Sequence, residues 1–282
     1  MENTEKKMTA KKFWKDFQKN VSGNKELKKE WFHFKKFTVL ITICWLRKTK
    51  ERITTVLVGA ATWLVFSMGL EKIPIYFLFN PNTQLGKTIL GSVVLYTVIG
   101  ALLAGLFEET GRLVAYKTLL RKRTNKETGI SHGIGHGGFE AMFLMAVTGI
   151  EYIVFAGMIN AGTFQSVIDQ AVASGLDASS LQALPVQIAL ITPANGLLSI
   201  VERAAAMLLH IGLSILVFHA VRERKTHLYL LAIVLHALFD VPAALYQVGV
   251  LNLAVVEVIL SAYSIIFFVS IYKTLYVKMA AE

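Results

Sequence analysis

The chain has 282 residues, 54% of them hydrophobic and 17% charged, with a mean hydropathy of +0.53, whereas an ordinary soluble domain is roughly a quarter charged. Lysine and arginine outnumber aspartate and glutamate 29 to 19, for a net charge of +10, yet "RKTKER", "KTLLRKRTNK" and "VRERK" all sit at junctions between long apolar stretches. Such a pattern argues against a soluble protein and needs no nucleic-acid partner, and the single cysteine, Cys44, excludes an intrachain disulfide and a multi-cysteine metal site.

In chain order, residues 1–36 read as a basic cytoplasmic arm and 37–282 as a transmembrane helical domain that carries a catalytic cavity. The first thirty residues are polar and lysine-rich where a secretory leader needs an apolar core, so no cleavable leader is expected. Trp31 to Leu46 is short for a crossing of about 20 residues and is expected at the interface or as a marginal span. Thr54 to Phe79 is long enough to cross. "NPNTQ" is a turn, and a second span begins near Leu85 and runs unbroken to the basic run from Arg121 to Lys126. A third span is expected from about Gly137 to Ile159, followed by a polar loop from Asn160 to Ser180. Leu181 to Ala220 is read as one long crossing broken near Pro193 and Gly196. Two more spans follow, Leu228 to Val248 and Leu251 to Tyr272. The expected fold is an all-α, polytopic transmembrane helix bundle of six to seven spans in a cell membrane, with the basic loops and the carboxyl terminus cytoplasmic.

Ionisable groups inside spanning helices are costly and face the bundle interior or a water-filled cavity, which makes them functional candidates. Four clusters qualify: "EETGR" (Glu108, Glu109, Arg112), "HGGFE" (His136, Glu140), "ERAAAMLLH" (Glu202, His210) and "HALFD" (His236, Asp240). Glu108 and Arg112, His136 and Glu140, and His236 and Asp240 are each four residues apart and share a helix face. Counting 1.5 Å per residue from the basic runs puts Glu108, His210 and His236 roughly 14 to 18 Å from the cytoplasmic boundary, so the clusters are expected to converge in one cavity. Each also has a plain structural reading. "EETGR" would lock two helices as an ion pair, the glycines from Gly133 to Gly138 would make "HGGFE" a bend at a helix entry, Glu202 and Arg203 would form a salt bridge, and Asp240 would hold one tautomer of His236. His33, His132, His219 and His227 read as surface or interfacial, and Glu71, Glu151 and Glu257 as packing groups.

Carboxylates, imidazoles and a guanidinium in one membrane cavity suit the activation of water. Burial disfavours the charged form of a carboxylate and so turns it into a base near neutral pH, while imidazole N–H groups stabilise an oxyanion. The same residues also suit zinc, with His136, His210, His236 and Glu140 as candidate ligands. The residues alone leave these alternatives open. No "HExxH", "GxSxG" or "GxGD" motif is present.

"EETGR", "GIGHGGFEA", "ERAAAMLLH" and "HALFD", in that order, resemble the YhfC family of intramembrane peptidases, distantly similar to the CAAX-processing and bacteriocin-processing membrane proteases. The resemblance covers about Phe37 to the carboxyl end. It implies a CAAX-protease-like core and cleavage of a membrane-associated protein or peptide near the cytoplasmic leaflet. It further implies that Glu108 activates water with His210 assisting, while His236 and Asp240 line the oxyanion side. Here the glutamate-to-arginine spacing is one residue shorter than the CAAX-type pattern, and Asp240 stands where asparagine is common, which favours an orienting role on His236. The resemblance does not decide metal dependence. From other classes, a proton-coupled transporter would use the same buried carboxylates and histidines with a broken helix at "TPANG", and a non-catalytic scaffold or immunity protein would keep only the bundle.

Overall fold

The computed structural model describes Lys36 and residues 38–174, 178–189 and 193–279; His33 and the basic arm lie outside the described residues. Every element among these is helical. A short helix α1 covers 38–49. Then come α2 (Ile53–Val65), which passes through a π-turn at Phe66–Leu70 into α3 (Lys72–Leu78), followed by α4 (Gln84–Leu90) and α5 (Val93–Lys117). The rest are α6 (Glu127–Asn160), α7 (Phe164–Ala173), α8 (Ser179–Ala189), α9 (Pro193–Arg222), α10 (Thr226–Gln247) and α11 (Leu253–Ile271).

Six helical stretches are long and apolar enough to cross a membrane: Ile53–Leu78, Val93–Lys117, Glu127–Asn160, Leu198–Arg222, Thr226–Gln247 and Leu253–Tyr276. The protein is an all-α polytopic membrane protein, as its composition and apolar runs anticipate. α1 is too short to count among the spans. Three details differ from the sequence reading. The second span is not continuous from Leu85, because Ser92 caps a fresh helix by accepting from the Leu95 N–H at 3.3 Å, after α4 has ended at Leu90. The third helix starts at Glu127, not near Gly137, so "HGGFE" lies inside it. The polar loop holds a helix of its own, α7, with Phe164 and Ile168 buried.

The chain divides into two compact units. One is Met142–Ile200, in which Ala156, Ile159, Phe164, Ile168, Ala178 and Ile188 form a small core. The other joins Phe37–Ala141 to Val201–Glu282 and holds every candidate site residue. In that unit α9 is the central helix: 72% of its most apolar stretch is buried, against 28% or less for the other five spans. Leu209, Leu213, Ile215, Leu216, Val217 and Phe218 line up along it as the core.

Glycines set how close the helices around the site come. A Cβ on Gly59 of α2 would lie 2.2 Å from the His132 carbonyl oxygen of α6, and one on Gly135 would lie 1.9 Å from the Val56 carbonyl oxygen. On another side of α6, a Cβ on Gly133 would lie 2.5 Å from Ile211 Cα, and one on Gly137 2.8 Å from His210 Cβ. The glycines read as a bend are therefore contact points inside a continuous helix, where small residues let backbones touch. Gly105 does the same between α5 and α10, its Cβ position falling 2.7 Å from the Ile233 carbonyl oxygen.

Three helix ends share one device, a bond from the N–H two residues past the cap back into the last turn: Thr163 to the Met158 oxygen at 3.0 Å, Lys225 to Ala220 at 2.8 Å, and Val250 to Leu245 at 2.9 Å. The residue between takes a left-handed conformation, supplied by Gly162 (φ 73°), Arg224 (φ 55°) and Gly249 (φ 74°) respectively.

Gly59→Ala and Gly135→Ala are each expected to lower the melting temperature of the detergent-solubilised protein by several degrees or to prevent folding. Gly157→Ala, whose Cβ would meet nothing within 4 Å, should melt with the wild type.

Candidate active site and its buried charge network

Four helices contribute the polar groups: α5 carries Glu108, Glu109 and Arg112; α6 carries His132, His136 and Glu140; α9 carries Arg203, His210 and Ser214; α10 carries His236 and Asp240. On each helix the groups stand three, four or seven residues apart, Glu108 and Glu109 alone being adjacent, so each helix turns one polar stripe inward.

Arg112 lies at the centre, with its side chain fully buried. Its NH1 donates to Glu109 Oε1, its NH2 to His210 Nδ1 at 2.6 Å, and its Nε to Ser214 Oγ at 3.2 Å. Three acceptors from two helices thus satisfy one guanidinium. Because a guanidinium only donates, His210 Nδ1 accepts, and a neutral His210 carries its proton on Nε2. Glu109 Oε1 also takes a hydrogen bond from His236 Nδ1 at 2.7 Å, which leaves His236 Nε2 unprotonated on a neutral ring. With both rings neutral, the remaining nitrogens are therefore in opposite states, His210 Nε2 as donor and His236 Nε2 as acceptor.

Glu108 Oε2 is the point on which the cluster converges. It lies 2.8 Å from His136 Nε2 and 3.9 Å from each of Arg112 NH2, His210 Nδ1 and His236 Nε2. Glu140 approaches from the next turn of α6, with Oε2 2.7 Å from His210 Nε2 and Oε1 3.9 Å from an Arg203 guanidinium nitrogen. Side-chain exposure rises outward, from 0% at Glu109 and His136 through 7% at Glu108 to 13% at Glu140 and 30% at Asp240. Glu140 and Asp240 are thus the most exposed of these groups.

Of the nine residues singled out from sequence, Glu108, Glu109, Arg112, His136, Glu140, His210 and His236 are brought together. Asp240 sits at the edge, 3.6 Å from His236 Nε2, while the closer partner of that imidazole is Glu109. Glu202 stands apart, paired with Arg203 and 27% exposed.

Two residues were missed. His132, read as interfacial, is fully buried, with Nδ1 3.3 Å from Ser214 Oγ and its ring 4.8 Å from that of Tyr116. The signal was present, since His132, His136 and Glu140 follow one another at four-residue steps. Ser214, one turn beyond His210, accepts from Arg112 Nε and borders His132. A lone serine in an apolar helix gives no such warning.

Glu108, His136, Glu140 and His210 could hold a metal ion: each offers a ligand atom, all within 4.8 Å of one another. Ligands on a tetrahedral zinc lie about 3.3 Å apart, so small side-chain rotations would suffice. Glu140 Oε2 supports the fit, because it is buried and makes no hydrogen bond among the described residues despite facing His210 at 2.7 Å. His210 fits least well: an imidazole on a metal normally donates its other N–H to an acceptor, and here that nitrogen meets Arg112.

Removing Arg112 would leave Glu109 buried and deprived of its cation. Arg112→Leu is expected to lower unfolding free energy in detergent by about 3–5 kcal/mol, and a further Glu109→Gln exchange should recover part of that loss.

The family model described as YhfC intramembrane metalloprotease matches residues 36–260. "Uncharacterized membrane protein YhfC" from Bacillus subtilis (strain 168) is 36% identical over 187 residues, which is 65% of this chain and 69% of that relative. No solved structure matches. The four polar motifs lie within the matched span, and the chain belongs to the YhfC intramembrane metalloprotease family.

Proposed function

We propose that the protein is an intramembrane endopeptidase that hydrolyses a peptide bond of a membrane-associated protein or peptide, with Glu108 as the group that takes the proton from water. The observation that carries this reading is the convergence of His136, Arg112, His210 and His236 on one oxygen of Glu108. A carboxylate so surrounded has one cationic neighbour to orient it and imidazoles on several sides to pass or share a proton.

In the proposed reaction Glu108 accepts a proton as the water oxygen bonds to the carbonyl carbon. His210 Nε2–H donates to the oxygen on which charge develops. The C–N bond then breaks as a proton passes to the departing nitrogen, for which His236 Nε2, held by Glu109, serves as the relay. Glu109 and Arg112 keep the two imidazoles in complementary tautomers and do not touch the substrate. Asp240, at the exposed edge, orients His236 or the incoming chain. Glu202 acts through Arg203, which steadies Glu140.

One oxygen of Glu108, with His136 and Glu140, would hold a zinc ion, leaving the other oxygen of Glu108 to take the proton, and His210 would be kept as a donor by Arg112. Bound there, the ion would supply Lewis-acid polarisation of the carbonyl and of the attacking water. The basic ends of the spans favour a cytoplasmic placement for the loops that carry them, so the cleaved bond would lie near the cytoplasmic leaflet.

Two measurements test this reading. Mapping of new peptide termini in membranes reconstituted with wild type should show products that fall by about 10²- to 10⁴-fold with Glu108→Gln; products undiminished in that folded variant would rule Glu108 out. Elemental analysis of purified protein should find zinc in wild type, lost in His136→Ala and Glu140→Gln but kept in His210→Ala, which should nonetheless be inactive. Loss of zinc in His210→Ala would make His210 a ligand.

A further inference from the structure

Away from the charge network, a cavity of about 210 Å³ opens between the end of α5 and the turn from α9 into α10. Its lining includes Lys117 and Arg224, with Thr226 and Tyr229 adding hydroxyls and Leu113 and Val221 an apolar wall. None of the candidate catalytic residues lines it. Lys117 and Arg224 are both exposed, and neither makes an ion pair among the described residues. Two cations thus share one concavity without a counter-ion, and the acidic residue of the turn, Glu223, is exposed and does not line the cavity.

The backbone adds an independent argument. Arg224 occupies the left-handed position of a helix-ending turn that glycine fills at the two equivalent sites, Gly162 and Gly249. An arginine there, like Lys50 after α1 (φ 56°), strains the backbone where a glycine would not; what the Arg224 side chain adds is a guanidinium at the cavity. The next residue, Lys225, caps α10 without a side-chain hydrogen bond, which leaves the positive end of that helix dipole turned toward the same place. The cavity also sits where three spans end or begin, at Lys117, Arg222 and Thr226, the level at which basic pockets between helices meet lipid headgroups.

We infer that this cavity binds a phosphate group through Lys117 and Arg224, and that the headgroup of an anionic phospholipid is the source its apolar wall and its place at the helix ends favour. The experiment uses the full chain in detergent, with binding read by thermophoresis. Short-chain phosphatidic acid is expected to bind at least about tenfold more tightly than phosphatidylcholine of the same acyl length. Lys117→Gln and Arg224→Gly should each weaken the phosphatidic acid about tenfold, the factor that one charge-assisted hydrogen bond carries. Arg224→Gly should melt no lower than wild type, which separates lost binding from lost fold; Arg224→Gln repeats the test with the backbone strain retained. Inorganic phosphate that competes at equal concentration would identify the free anion as the source and would still support a phosphate site. Equal affinity for the two lipids, or wild-type affinity for phosphatidic acid in the folded variants, would overturn the proposal.

Discussion

A guanidinium sealed inside an apolar helix bundle has to find an acceptor for its donors, and Arg112 does so on two helices at once. Glu109 is one turn below it on the same helix, while His210 and Ser214 come from α9. Such buried polar networks are costly when half-satisfied and rigid when complete. The tautomers of His210 and His236 follow from this network, and through them what each imidazole offers to Glu140 and Glu108. Glu108, one turn earlier on α5, inherits its surroundings from the same arrangement.

That network depends in turn on the absence of side chains elsewhere. His136 reaches Glu108 because Gly133 and Gly137 let α9 close on one side of α6 while Gly59 and Gly135 let α2 close on another. Gly105 brings α10 against α5, and with it His236 to Glu109. In a membrane no hydrophobic force drives helix against helix, so close backbone contact has to supply the packing. The chemistry and the packing are written in the same segment, "SHGIGHGGFE", with histidines and glutamate on one stripe and glycines between them.

Much of this is legible in the sequence. Charged groups at four-residue intervals inside apolar runs have few explanations, and seven of the nine residues chosen on that ground meet in space. The failures have physical causes. His132 was set aside because it lies close to a basic run, which is a good guide to the membrane boundary only if the helix begins where the apolar run begins; α6 starts ten residues earlier than expected, at Glu127, and carries His132 inward. The glycines were read as a bend because composition cannot tell a bend from a contact. Glu202 shares its motif with His210 but lies two turns away from it, where it pairs with Arg203. Ser214 contributes one hydroxyl, and nothing in a sequence marks one hydroxyl from another.

The position of Glu109 three residues before Arg112, on the same helix, bears on how such a protein is made. α5 is synthesised well before α9 and α10, so when it first meets the bilayer neither His210, Ser214 nor His236 yet exists to receive its charges. An arginine and a glutamate on adjacent turns form a neutral dipole within a single helix and lower the penalty of burying either alone. Helix α5 thus brings a counter-ion for Arg112 into the membrane, where the pair waits for the partners that later recruit it to the site.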